Sequence, residues 1–144
     1  MYKRQVLLWL SYGCSVFAGL MAIGHAAGII QTLGGDYRLG VWGAVCIGIG
    51  SASGGFFIGA VISRRNMDTW LLALPVVSAA ALLGLGLVDW PGPAIALLSV
   101  IGFAYGAIIA VYPYAISEYF GELGPKVYGR VFTCLLYTSD AADE

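Results

Sequence analysis

Four stretches of the chain contain no Asp, Glu, Lys or Arg: 6–35, 39–63, 69–88 and 90–117. Each reaches the roughly 20 residues with which a helix crosses about 30 Å of hydrocarbon. The runs are continuously apolar and lack the in-out alternation of a barrel strand, so spanning strands are excluded. The pattern predicts transmembrane helices over about 6–33, 39–63, 69–88 and 93–117. The first run is too long for a cleaved signal peptide and is followed by further spans. Short, turn-rich connectors separate the runs: Gly34-Gly35-Asp36-Tyr37-Arg38, Arg64-Arg65-Asn66-Met67-Asp68 and Asp89-Trp90-Pro91-Gly92-Pro93. Connectors this short make neighbouring helices antiparallel. Residues 118–126 read as a polar loop, and a fifth span starts at Val127. The fold class expected is an all-α integral membrane protein, an antiparallel bundle of transmembrane helices.

The small residues differ from run to run, and this predicts which helices pack. In the first, Ser11, Ser15, Ala18, Ala22, His25, Ile29 and Thr32 step by three and four residues and share one helix face. The second holds Gly50 and Gly54, with Ser51, Gly55 and Gly59 beside them; the fourth holds Gly102, Gly106 and Ala110. Small residues at four-residue spacing let backbones approach closely in lipid, where packing drives association. Helices one, two and four are expected inside the bundle. Helix three, with Ser78 as its one interior polar group, is expected against lipid. Pro75 and Pro113 mark expected kinks, since each removes a backbone donor and crowds the preceding turn.

Composition agrees with a bilayer location. Of 144 residues 60% are apolar and 10% charged, against about 25% charged in an ordinary soluble domain. Seven basic residues nearly balance eight acidic ones, which excludes a nucleic-acid footprint and a polybasic lipid-binding tail. Cys14, Cys46 and Cys134 never form a C-x-x-C pair, so neither a disulfide framework nor a zinc site is indicated. No cofactor and no metal is expected. Arg64 and Arg65 follow helix two, and Lys126 and Arg130 follow helix four, whereas the other connectors hold only Arg38. The positive-inside rule then makes the Arg64–Arg65 loop cytoplasmic, in a multi-pass protein of the cytoplasmic (inner) membrane.

Few side chains carry candidate chemistry. His25 is the chain's one histidine and lies within a span. An intramembrane ionisable group marks a substrate or proton path by default, and its plain alternative is a neutral imidazole bonded to a facing helix. Tyr105 and Tyr112, seven apart on one face of helix four, can line a polar cavity with hydroxyls. Tyr112 can instead satisfy a carbonyl freed by Pro113, and Tyr114 and Tyr119 fit an interfacial aromatic belt. Ser51 and Ser53 read as packing groups. No carboxylate pair, nucleophile motif or metal-ligand cluster points to an enzyme, and no filter-like ring points to a channel.

Two resemblances change the picture. Residues 1–5, Met1-Tyr2-Lys3-Arg4-Gln5, and residues 134–144 resemble translated sequencing-adapter sequence, so that 6–133 is expected to be a natural segment of a longer gene. Without those ends five basic residues, Arg38, Arg64, Arg65, Lys126 and Arg130, face five acidic ones, Asp36, Asp68, Asp89, Glu118 and Glu122. Gly59 and Arg64 resemble the loop signature of the major facilitator superfamily, a Gly followed four residues later by Asp, then Arg, then after one residue another Gly. Ser63 stands at the Asp position and Asn66 at the second Gly, where Asn tolerates a left-handed backbone.

Phe103-Ala104-Tyr105-Gly106, Tyr112-Pro113, Phe120-Gly121 and Val127-Tyr128-Gly129-Arg130-Val131-Phe132-Thr133 resemble the tenth and eleventh helices of major facilitator proteins of the oxalate/formate antiporter and monocarboxylate type. The resemblance implies part of a 12-helix fold, helices seven to ten and the start of eleven. It also implies alternating-access transport of a small organic anion at a mid-membrane site between two halves. The implied partners are the lipid bilayer, the N-terminal half of the same transporter, the anion and, with symport and exchange both open, protons. Dicarboxylate carriers of this type place a cation in the eighth helix, but 39–63 has none. A monocarboxylate therefore fits better than an oxalate-like dianion. The competing expectation is a small four-helix membrane subunit for interaction or assembly, without transport.

Overall fold

The computed structural model describes residues 2–129 and residue 132. Arg130, Val131, Thr133, Cys134 and the rest of the 134–144 tail lie outside the described residues, as does Met1. Four α-helices follow one another: α1 (Tyr2–Thr32), α2 (Tyr37–Val61), α3 (Met67–Leu85) and α4 (Pro91–Phe120). All four are long and apolar enough to cross a membrane, which makes the chain a multi-pass membrane protein. Among the described residues there is no strand.

Local chemistry sets the helix ends. At the end of α1, Gly34 donates to the Gln31 carbonyl at 3.0 Å and Gly35 to the Ile30 carbonyl at 2.9 Å. This paired closure needs a left-handed residue, and Gly34 supplies it at φ 82°. Asp36 caps α2 by accepting from the Tyr37 amide at 2.8 Å. Pro91 opens α4 at a position where its missing N–H costs no helical bond. The helix boundaries differ from the sequence expectation by one to four residues: α1 starts at Tyr2 rather than 6, α3 ends at Leu85 rather than 88, and α4 starts at Pro91 rather than 93. It runs to Phe120 rather than 117, so Glu118 and Tyr119 are helical. Gly121, at φ 53°, then starts a 3-10 turn through Leu123, and residues 124–129 are helical again. Both α3 and α4 continue through their internal prolines, Pro75 and Pro113.

The helix that holds the bundle together is α4. The other three pack on it, and two apolar clusters run along its length. At the Arg64 end, Tyr12, Val16, Ile58, Leu74, Ile108, Tyr112 and Val127 meet. At the Asp36 end, Ala22, Ala26, Ile30, Ile47, Ala81 and Leu98 meet. The expectation of three interior helices is thus revised. Only α4 is covered on several sides, while α1, α2 and α3 each pack one stripe and expose the rest. The reason is positional, because the helix that touches three neighbours cannot be told from one that touches one by residue size alone.

Parallel α2 and α4 form the tightest pair. A Cβ added at Gly50 would overlap the Ser99 carbonyl oxygen, and one at Gly54 the Phe103 carbonyl oxygen. Reciprocally, a Cβ at Gly102 would overlap the Ile47 carbonyl oxygen and one at Gly106 that of Ser51. Main chain therefore rests on main chain, the contact in which packing in lipid is strongest. Gly55 is looser, with the Gly106 carbonyl oxygen 3.5 Å from an added Cβ.

Candidate functional site

The packed stripe of α1 is Tyr12, Ser15, Val16, Gly19, Ala22, Ala26 and Ile30. The small and polar stripe read from sequence lies along its edge. Ser15 and Ala22 are buried, Ala18 and Ile29 half-buried, and Ser11, His25 and Thr32 exposed. A helix stepping by 3.6 residues separates two such stripes by less than one position, so only the packing partner decides which is inside.

Near the Arg64 end, α1 and α4 share a hydroxyl cluster. The Tyr112 hydroxyl and Ser11 Oγ lie 2.6 Å apart, and Ser15 Oγ donates to the Ser11 carbonyl at 2.7 Å. The rings of Tyr112 and Tyr12 pack with centroids 4.7 Å apart and an interplanar angle of 59°. Tyr112 is 1% exposed and Tyr12 0%; ring packing holds both, and the Tyr112 ring is held by its hydroxyl bond to Ser11 as well. The alternative raised for Tyr112, a bond to a carbonyl freed by Pro113, is not the one present. Tyr12 was missed as a site residue. Its signal was its place one residue after Ser11 and three before Ser15, which puts it on the inner side of the polar stripe.

Further along, the half-buried ring of Tyr105 lies on Gly19, with Cγ 2.8 Å and Cβ 3.0 Å from the position a Gly19 Cβ would take. His25 lies beyond it, exposed, with Nδ1 3.0 Å from the Met21 carbonyl oxygen of its own helix. At 1.5 Å per residue, Gly19 is about 12 Å from Ser11 and about 9 Å from His25 along α1. Tyr112, Tyr105 and His25 therefore occupy successive depths of the span, and the structure does not bring them together in one cluster.

A separate open groove of about 400 Å³ lies between α2 and α4, lined by Cys46, Ile49, Ser53, Ser99, Val100 and Phe103. Its serines are already engaged, Ser53 with the Gly50 carbonyl and Ser99 with the Ile95 carbonyl, both at 2.8 Å. Neither His25 nor the two α4 tyrosines line it. Cys14 and Cys46 are free thiols. Among the described residues no group of three or more His, Cys, Asp or Glu is placed to hold a metal ion.

The α2–α3 loop is tied to the end of α4. Arg64 Nε lies 2.6 Å from Glu118 Oε1, and the Tyr119 hydroxyl donates to Asp68 Oδ1. Arg65 is exposed, as is Gly59, where an added Cβ would meet nothing within 4 Å. Arg64 itself is 81% exposed, so this ion pair contributes about 0–1 kcal/mol and serves position more than stability. Asn66 is not left-handed, since its φ is −110° and no non-glycine has positive φ among the described residues. It shapes the turn through its side chain instead. Oδ1 accepts from the Ser63 amide at 2.7 Å and Nδ2 donates to the Val61 carbonyl at 3.0 Å. Replacing Asn66 with Ala is expected to cost about 1 kcal/mol, read as a lower melting midpoint in detergent. Asn66→Asp keeps the acceptor and is expected to fall between the two. Equal midpoints for all three would show that the turn closes without this side chain.

Comparison of the chain with known families, with curated proteins and with solved structures finds no match.

Proposed function

We infer that the chain is the seventh to tenth helices, and the start of the eleventh, of a major facilitator-type secondary transporter. It moves a small organic anion, a monocarboxylate in preference to a dianion, across the cytoplasmic membrane by alternating access. The observation that carries the reading is the edge of α1. There the hydroxyls of Ser11, Ser15 and Tyr112 and the imidazole of His25 follow one another inside a span that is otherwise apolar. Polar and ionisable groups at membrane depth are costly against lipid and belong to a path or a partner. The quoted motifs around Tyr105, Tyr112 and Phe120 supply the family, and the Arg64–Arg65 loop supplies the orientation. Absence of Lys and Arg from 39–63 favours a single negative charge on the substrate.

The intact reading frame, purified and placed in proteoliposomes loaded with formate, lactate or oxalate, tests this. Saturable counterflow of labelled formate or lactate is expected, with oxalate slower. Failure of all three to exchange above empty vesicles would remove the transporter reading.

A further inference from the structure

The open groove of about 400 Å³ between α2 and α4 lies on the side of α4 away from α1. Phe103, which lines it, is about 200° around α4 from Tyr105, whose ring rests on Gly19 of α1. The groove thus belongs to neither the hydroxyl cluster nor the His25 edge. Its volume is that of a small-ligand site, and its position, from Cys46 to Ser53, is the middle third of α2. Both of its hydroxyls, Ser53 and Ser99, already donate to carbonyls of their own helices. The remaining lining is apolar apart from the Cys46 thiol, so the occupant it suits is a hydrocarbon.

An exposed stripe with a charge at its head leads into this groove. Arg38, Trp42, Val45 and Ile49 step by four, three and four residues and share one face of α2, and all four are exposed. Arg38 is the one basic residue in the two connectors at this end, and among the described residues it forms no salt bridge. Its acidic neighbour Asp36 is engaged in capping α2. Trp90, at the N-cap of α4, stands at the same end because α2 and α4 run parallel, and exposed Trp42 and Trp90 mark the headgroup level. From Arg38 to Ser53 the axis advances about 22 Å, and half a bilayer with its headgroup region is also about 20–22 Å. A guanidinium at the headgroups and an apolar trough ending at the midplane match one kind of molecule, a phospholipid. Its phosphate can take two N–H groups from the guanidinium, an anion that a further apolar helix laid in the groove would not bring.

We propose that this face is a phospholipid site: Arg38 holds the phosphate of a lipid in the leaflet at the Asp36 end, and one acyl chain passes Trp42 and Val45 into the α2–α4 groove. The site stands apart from the transporter reading, since it uses the opposite face of α4. An acyl chain in the groove covers the Cys46 thiol, so the reactivity of that thiol reports occupancy.

Alkylation of Cys46 by N-ethylmaleimide tests this, in the intact protein purified in detergent, stripped of lipid and carrying Cys46 as its one cysteine. Dioleoylphosphatidylglycerol added in mixed micelles is expected to slow the reaction saturably. Glycerophosphoglycerol, the same headgroup without chains, is expected to leave the rate unchanged. Arg38→Gln is expected to need about tenfold more lipid for equal protection, as for one lost hydrogen bond to a charged group, and Arg38→Lys to need less than Arg38→Gln. Val100→Trp, at a position 41% exposed on the groove wall, is expected to slow alkylation without lipid and to remove the response to it. A rate that the lipid does not change, or Arg38→Gln protected at the wild-type lipid concentration, overturns the proposal. So does a Cys46 that fails to react when lipid is absent, since protein then covers the groove. If the single-cysteine form does not fold, native mass spectrometry of the unsubstituted protein decides. A phospholipid retained by wild type and lost from Arg38→Gln is expected there, and equal retention overturns the proposal.

Discussion

Replacing Gly106 with leucine is expected to abolish the folded protein, and Gly54→Leu to do the same. Each glycine rests on a main-chain carbonyl of the opposite helix, Gly106 on Ser51 and Gly54 on Phe103. A side chain pressing on a flexible neighbour can be relieved by a rotamer change, but one pressing on backbone moves the whole helix. Because α2 and α4 carry reciprocal contacts at Gly50 and Gly102 as well, parting them at one point loosens the others. Overpacking costs about 1–3 kcal/mol at sites that can adjust, and more where they cannot. Even alanine at either position is expected to lower the melting midpoint of the intact protein in detergent. Gly48 is the control, since a Cβ there meets nothing within 4 Å. Gly48→Ala is expected to leave the midpoint unchanged or raise it, by up to about 1 kcal/mol in helix propensity. A monodisperse Gly106→Leu protein melting with wild type would show that the α2–α4 contact is not close.

Truncating Tyr112 to alanine is expected to be the second most damaging change, at about 3–5 kcal/mol. Its ring is 1% exposed, packs on Tyr12, and joins the cluster of Val16, Ile58, Leu74 and Ile108. The cavity would open where α1, α2, α3 and α4 meet, so collapse around it would need several helices to move. Tyr112→Phe separates packing from chemistry. It keeps the ring and removes only the hydroxyl bonded to Ser11, at a cost of about 1 kcal/mol. If that hydroxyl also meets the anion, Tyr112→Phe raises KM about tenfold with little loss of stability, as for one lost bond to a charged group. An unchanged KM would leave Tyr112 as a packing residue, and an unchanged melting midpoint for Tyr112→Ala would contradict the burial described.

Both expectations depend on features that differ in how far the residues alone show them. The four spans follow directly from charge-free runs, because in hydrocarbon every backbone donor must be satisfied within the helix and no other solution exists. Gly50, Gly54, Gly102 and Gly106 are visible as a pattern, but that α2 and α4 meet each other, and meet in parallel, depends on which helices become neighbours. The polar stripe of α1 is visible too, yet its place at the edge of the packed face, with His25 outside and Ser15 inside, depends on the 100° steps by which α4 selects a side. Asn66 shows the limit from another direction. A left-handed glycine position in a resembling motif suggested its backbone, and a side-chain bond to Ser63 made that backbone unnecessary.

Hydrophobic length and charge placement by themselves determined the four membrane-length helices among the described residues, their alternation in direction and the apolar character of the chain, since each is a property of one segment against its solvent. The tertiary structure alone decided that α4 is the common partner, that Tyr12 joins Ser11 and Tyr112, that Arg64 meets Glu118, and that His25 and Tyr112 sit about 21 Å apart along α1. These are relations between segments. In lipid, where apolar surface gains nothing by choosing one helix over another, close steric fit makes the choice.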